Sequence, residues 1–257
     1  MRILVIGDII GKSGRIAVRK VLPRLRAQHK INMVIANGEN SAGGLGMTPT
    51  TADELFDTGI DVITSGNHIW HHKEILPYLN GDKPILRPLN YPPGVPGRGF
   101  LEYNGVKIVN LIGRTFIGNF DCPFRAMDQL LADTRHKTAI TIIDFHAEAT
   151  SEKMALGQYL DGKVTAVLGT HTHVGTIDTR VLTKGTAYVT DIGMVGPIDS
   201  IIGDDKESVL DRFLTLMPHR ISVGKGRTAF NSVLITADEE SGKALYIERI
   251  DVETDVS

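Results

Sequence analysis

Three observations predict an α/β fold. Short apolar runs of strand length (RILVIG, MVIA, DVIT, AITIIDF, VTAVL) alternate with longer segments of helical spacing. Most of these runs stop at Gly, Asn, Asp or His, as strands do when their carboxyl ends deliver side chains to a site. Hairpin signals at 99–112 and 229–250 add antiparallel strands, so the sheet system is mixed. The expected architecture is two packed sheets with helices outside, in one domain over residues 1–257.

Residues 2–7 read as a buried strand ending in Asp8. Residues 12–29 have apolar residues at helical spacing (Ile16, Val21, Leu22, Leu25), and Pro23 is expected to kink or divide that helix. Met33–Ala36 is a second strand, followed by Asn37-Gly38-Glu39-Asn40 and a glycine-rich loop over 41–46. Thr51 and Glu54 suggest a capping box for a helix over 51–58. Strand 61–64 leads into Ser65-Gly66-Asn67-His68, and a short helix is expected near 72–80. The Pro/Gly-rich stretch 87–99 suits a surface loop. Asn104-Gly105 marks a hairpin between strands at 99–103 and 107–112. Helices are expected over 123–134, 151–160 and 204–216. Strands are expected at 139–145 (before His146), 164–168 (before Gly169-Thr170-His171-Thr172-His173) and 185–189 (before Asp191). A terminal hairpin joins 229–236 to 244–250.

Bulk properties exclude several functions. A net charge of −2 leaves no electrostatic footprint for duplex nucleic acid. The single cysteine, Cys122, forms no intrachain disulfide and fits a reducing compartment. The opening MRILVIGD is too short for a signal peptide and is interrupted by Asp8. No apolar stretch approaches the ~20 residues of a membrane span. A cytoplasmic protein without membrane attachment is expected.

Asp8, Glu39, Asn67, His146 and the His171/His173 pair each follow a predicted strand. Taken singly, each has an ordinary explanation. Asp8 fits a helix N-cap, Glu39 and Asn40 fit loop polars, and Asn67 fits a turn. A lone His146 fits a hydrogen-bonded core histidine. In an extended segment, however, His171 and His173 would face the same side. Together the set supplies two carboxylates, amides and three imidazoles at one sheet edge, too many for one tetrahedral zinc and suited to two metals sharing a carboxylate. Nitrogen and oxygen donors without thiolate favour iron, manganese or zinc over magnesium or calcium. Two dications less two carboxylates leave a net charge of about +2, which attracts phosphate. Metals roughly 3.5–4 Å apart activate water and clamp the oxygens of an in-line phosphoryl displacement.

Asp8, Gly66-Asn67-His68, His146 and Gly169-Thr170-His171-Thr172-His173 resemble the motifs of the calcineurin-like metallophosphoesterases. Three departures stand out. Asp8-Ile9-Ile10 lacks the histidine of the usual Asp-x-His. Gly38-Glu39-Asn40 replaces Gly-Asp. Ile69-Trp70 follows Gly66-Asn67-His68 where an acidic residue is common. The YmdB-like phosphodiesterases share these departures. They also share Gly7-Asp8-Ile9-Ile10-Gly11, the stretch Asn37–Gly44, the stretch Asp144–Lys153 and Gly193-Met194-Val195-Gly196-Pro197.

The resemblance implies a four-layer αββα fold, a double β-sheet sandwich flanked by helices. It implies one metal held by Asp8, Glu39, Asn40 and His173, and another by Glu39, Asn67, His146 and His171, with Glu39 bridging. It implies His68 as the general acid. The implied activity is hydrolysis of phosphodiesters such as 2′,3′-cyclic nucleotides, by in-line attack of a metal-bridging hydroxide while His68 protonates the leaving oxygen. The implied cofactors are two divalent or mixed-valence ions, iron ahead of manganese or zinc, and the partner is a small phosphodiester or nucleotide. A homo-oligomer stays open. Two other readings also stay open, a dinuclear amidohydrolase and a metal-dependent nucleotide-binding regulator of low turnover. His71 and His72 are expected to begin a helix, and His29 and His136 to lie on the surface. His219 has no motif support. Arg114, Asp199, Ser200 and Gly43-Gly44 are expected to pack or turn loops.

Overall fold

The computed structural model describes residues 1–133 and 138–256. His136, and Thr134 at the expected end of a helix, lie outside the described residues. In chain order the strands are β1 (Arg2–Ile6), β2 (Asp8–Ile9), β3 (Met33–Asn37), β4 (Val62–Thr64), β5 (Phe100–Tyr103), β6 (Val106–Ile112), β7 (Ile140–His146), β8 (Ala166–Thr170), β9 (Arg180–Val181), β10 (Ala187–Val189), β11 (Met194–Pro197), β12 (Thr228–Phe230), β13 (Ser232–Ala237), β14 (Ala244–Arg249) and β15 (Val252–Thr254). The helices are α1 (Gly11–His29), α2 (Pro49–Asp57), α3 (Ile75–Leu79), α4 (Pro123–Ala132), α5 (Thr150–Tyr159) and α6 (Lys206–Thr215).

Among the described residues the strands form three sheets. The first has the order β14-β13-β1-β3-β4 and the second β5-β6-β7-β8-β10-β9. Strands β1, β3 and β4 run parallel, as do β6, β7, β8 and β10, so their carboxyl ends meet at one edge. Alternation of side chains along each strand divides the core into layers. Ile3, Val5, Met33 and Ile35 of the first sheet pack between the sheets against Ile108, Ile142 and Leu168 of the second. Leu4, Ile6, Val34 and Ala36 face outward onto Val18, Leu22 and Leu25 of α1 and Leu55 of α2. Val109, Ile143 and Phe145 face outward onto Met127 of α4 and Leu156 of α5. This is the expected αββα order. No helix of the described residues is long and apolar enough to cross a membrane.

Several elements differ from the sequence expectation. A third sheet, β15-β12-β11-β2, lies beside the sandwich. The expected strand over 229–236 is divided at Asn231 between that sheet and the first one. Helix α1 continues through Pro23. The proline is exposed, and Ala17, Val18, Val21, Leu22 and Leu25 bury the opposite face. That burial outweighs the ~3 kcal/mol a helical proline costs. The cap of α2 is Thr48, with Pro49 opening the helix; Thr48 Oγ1 accepts from Thr51 N–H, and Thr51 Oγ1 accepts from Thr48 N–H. Glu54 instead pairs with Arg15 and Arg19. His71 and His72 lie in a turn ahead of α3.

Candidate metal centre

The inward-facing positions change character at the carboxyl ends of the strands. Following the same alternation, Met33 and Ile35 lead to Asn37, Val62 to Thr64, Ile108 to Asn110, Ile142 to Asp144, and Leu168 to Thr170. All five are buried. They form a polar layer above the apolar one, where Asn37 and Thr170 touch His146 and Asn37 Oδ1 accepts the Glu39 N–H.

The buried Asp144 carboxylate organises that layer. Its Oδ1 accepts Thr170 Oγ1–H at 2.6 Å, and its Oδ2 accepts Asn37 Nδ2–H at 3.0 Å and the Thr64 hydroxyl. Burial pushes its pKa up to about 6. The single hydroxyl proton of Thr170 is committed to Asp144. At 3.0 Å, Thr170 Oγ1 therefore accepts from His146 Nδ1–H. In the neutral imidazole that fixes the tautomer, with the Nε2 lone pair facing the site; burial lowers the pKa of His146, but Glu39 outweighs it and raises it.

Three donors converge on that nitrogen. Glu39 Oε1 is 3.1 Å away, Asn67 Oδ1 3.1 Å and His171 Nδ1 3.0 Å. One nitrogen carries at most one proton, so hydrogen bonding does not satisfy three such neighbours. Cis donors around a single cation at ~2.0–2.2 Å sit about 2.8–3.1 Å apart in octahedral geometry and about 3.3–3.6 Å apart in tetrahedral geometry, and the 3.0–3.1 Å seen falls in the octahedral range. Glu39, His146 and His171 bring ligand atoms within 4.8 Å of one another. The outer nitrogen of His171 is held by Glu148 Oε2 at 3.1 Å, as metal-ligating histidines commonly are. Gly66 makes room for this group: a Cβ there would lie 2.3 Å from His146 Nε2 and 2.4 Å from Glu39 Oε2.

A second group lies alongside. Asp8 is buried, its Oδ2 accepts His171 N–H at 3.1 Å, and its Oδ1 is buried with no hydrogen-bond partner. His173 Nε2 is 3.6 Å from that oxygen, while His173 Nδ1–H donates to the Ile202 carbonyl at 2.6 Å. Asn40 Nδ2 lies 3.3 Å from both His173 Nε2 and Glu39 Oε1. The Asn40 oxygen turns away, 2.8 Å from His68 Nδ1. An amide ligand would need that oxygen rotated inward. An orphaned carboxylate oxygen and an imidazole nitrogen 3.6 Å apart leave a place for a cation between them once that nitrogen gives up its proton.

Protonation follows from the surroundings. Burial raises the pKa of Asp8, but His173, His146 and the His171 N–H outweigh it and hold the carboxyl below the usual range. In Glu39 the same balance is set by burial against His146 and His68. Burial and then His146 push His171 down to about 3. Burial lowers His173, but Asp8 outweighs it and raises the imidazole to about 9, a proton that a dication would displace.

His68 stands at the rim, with about a third of its side chain exposed. Its backbone N–H donates to Glu39 Oε2 at 3.1 Å. Burial pushes its imidazole down, and Glu39 opposes that. With Nδ1 engaged by Asn40, Nε2 is the nitrogen free to give and take a proton.

The structure thus brings Asp8, Glu39, Asn40, Asn67, His68, His146, His171 and His173 to one edge. The His171/His173 pair does not arrive in extended form. Both backbones are left-handed, with φ of 94° and 64°, a conformation that costs a non-glycine residue of order 1–3 kcal/mol. Asp144, Thr170 and Glu148 were missed as supports, although an aspartate two residues before a histidine in a buried strand is a readable signal. Arg114 is exposed beyond β6, with its N–H held by Glu152. Asp199 pairs with Lys206, Ser200 caps the Pro197 carbonyl and His219 pairs with Asp211. Gly43 and Gly44 take positive φ in a turn, and His29 lies at the last turn of α1.

A double-sheet sandwich flanked by helices, with these donors at its strand ends, is the architecture of the metallophosphoesterase class. Within it, the chain belongs to the YmdB-like protein family, whose sequence profile matches residues 4–250. It is 47% identical to the 2′,3′-cyclic-nucleotide 2′-phosphodiesterase of Bacillus subtilis (strain 168), over 99% of this chain and 98% of that one. A crystal structure of a hypothetical protein from Thermus thermophilus superposes with a TM-score of 0.93 at 45% identity, covering 98% of this chain and 99% of that one. A crystal structure of a novel phosphatase from Mycoplasma pneumoniae gives 0.93 at 33% identity, covering 99% and 94%.

Proposed function

We propose that this chain is a metal-dependent phosphodiesterase acting on small phosphodiesters, 2′,3′-cyclic nucleotides among them. The observation that carries the reading is the convergence of Glu39, Asn67 and His171 on His146 Nε2 at 3.0–3.1 Å, a spacing that suits a cation's ligands. The relatedness to the Bacillus subtilis enzyme supplies the substrate class.

Two cations would be held. Asp8, Glu39, His173 and, with its amide turned, Asn40 would hold one. Glu39, Asn67, His146 and His171 would hold the other, with Glu39 common to both. The donors are nitrogen and oxygen without thiolate, which suits iron, manganese or zinc. When bound, such a pair supplies an activated water and neutralises charge on the phosphoryl oxygens. The chain's own groups do the rest. Thr170 and Asp144 hold His146 in one tautomer, and Glu148 orients His171. His68 stands outside both groups with Nε2 available, and gives its proton to the departing ribose oxygen. Hydrolysis of a 2′,3′-cyclic ester at the 2′ position forms one P–O bond from water and breaks the 2′ O–P bond. A 3′-phosphate and a free 2′-hydroxyl remain. The site residues run from Asp8 to His173 and their hydrogen-bond partners extend to Asp191, Gly193 and Ile202, so we treat residues 1–257 as one working domain.

The reading is tested by assaying anaerobically purified protein on a nitrophenyl phosphodiester, 2′,3′-cyclic AMP and a nitroanilide amide, with and without chelator. Both diesters should be hydrolysed, the cyclic ester to the 3′-phosphate, and the amide should be untouched. Chelation should abolish turnover and added Mn²⁺ should restore it. Turnover that survives complete metal removal, or cleavage of the amide alone, would overturn the reading.

A further inference from the structure

Lys153 and Asp191 form an ion pair outside the donor set. Both side chains are buried, and Lys153 Nζ lies 2.7 Å from Asp191 Oδ2. Buried pairs are weak stabilisers compared with well-packed apolar residues, so stability alone explains this one poorly. Its connections are directed at the site. Asp191 Oδ2 also accepts the Thr172 N–H at 3.2 Å and the Thr172 Oγ1–H at 2.7 Å. Asp191 Oδ1 accepts the Gly193 N–H at 2.7 Å, and the Gly193 carbonyl accepts the N–H of Asp8 at 3.1 Å. One carboxylate therefore holds both the loop that carries His171 and His173 and the strand that carries Asp8.

Thr172 sits between two histidines whose φ angles, 94° and 64°, non-glycine residues rarely adopt. Something must hold that loop, and the Thr172–Asp191 contacts sit at its centre. The backbone beneath is close-packed: a Cβ on Gly169 would lie 1.7 Å from the Thr190 carbonyl oxygen and 3.0 Å from Lys153 Cδ. The loop's base, Asp191 and Lys153 thus form one block.

We propose that Asp191 is a positioning residue for the metal centre, held by Lys153 and acting through Thr172 to set the His171/His173 loop against Asp8. This rests on the metal reading above. Thr172→Val keeps the branched side chain and the backbone N–H that Asp191 accepts, and replaces the hydroxyl bond with a methyl. Chelator-treated wild type, Thr172→Val and Thr172→Ser would be titrated with Mn²⁺ by calorimetry, and their metal-free melting temperatures compared. The expected result is Mn²⁺ affinity lowered about 10–100-fold in Thr172→Val, a metal-free melting temperature lowered by only a few degrees with the fold intact, and recovery of both in Thr172→Ser. The double variant Lys153→Met/Asp191→Asn, which leaves no unpaired buried charge, should lose affinity at least as much. Wild-type affinity in both Thr172→Val and the double variant would overturn this inference alone. Wild-type protein that takes up no Mn²⁺ would overturn the metal centre and this inference with it.

Discussion

Glu39→Gln is expected to lose metal and activity together. Glu39 Oε1 stands 3.1 Å from His146 Nε2 and 3.3 Å from Asn40 Nδ2, between the two donor groups. Its side chain is fully buried, so solvent does not replace the missing charge. Breaking a buried charge pair by removing one partner costs about 3–5 kcal/mol, or roughly 10²–10⁴-fold in a binding constant. The amide oxygen of glutamine still accepts the His68 N–H, so the fold should persist. Metal content by elemental analysis and turnover on a nitrophenyl phosphodiester should fall in step. Full metal occupancy with normal turnover would remove Glu39 from the site.

His68→Ala should separate chemistry from metal binding. The contact of His68 with Glu39 Oε2 is made by its backbone N–H, which alanine retains. Both metals should therefore stay. Turnover of a 2′,3′-cyclic nucleotide should fall by about 10²–10⁴-fold, the usual contribution of a general acid. A nitrophenyl diester should lose less, because its phenolate departs without needing a proton. An equal loss on both substrates would contradict the acid role, and so would an empty metal site in the variant.

Much of this arrangement was legible in the sequence. The strands β1, β3, β7 and β8 are apolar runs buried on both faces, and such runs are readable without tertiary information. The donors sit at their ends because a side chain there stays tied to a rigid sheet while facing open space. Other features depended on distant pairing. Strand β2 is two residues long and exists by pairing with β11, more than 180 positions away. The stretch 228–237 has an unbroken strand pattern, yet the chain changes sheets at Asn231, whose Oδ1 accepts the Met194 N–H. Pro23 reads as a breaker only if its neighbours are not buried.

The site's supports were harder to read than its donors. Asn37, Thr64, Asp144 and Thr170 share the parity of the apolar residues before them, so they look like the ends of ordinary strands. Their meaning appears only when two sheets bring them face to face. The left-handed turns at His171 and His173 carry no sequence mark. Asp191 and Lys153 lie 38 residues apart, and folding alone makes them neighbours.

The central claim is that one sheet edge holds two cations with Glu39 common to both. Anomalous scattering from crystals of anaerobically purified protein, recorded at the absorption edge of the metal found by elemental analysis, tests it most directly. The account predicts two peaks roughly 3.5–4 Å apart. One should be ligated by Asp8, Glu39 and His173, the other by Glu39, Asn67, His146 and His171. A single peak, or two peaks that do not share Glu39, would contradict it.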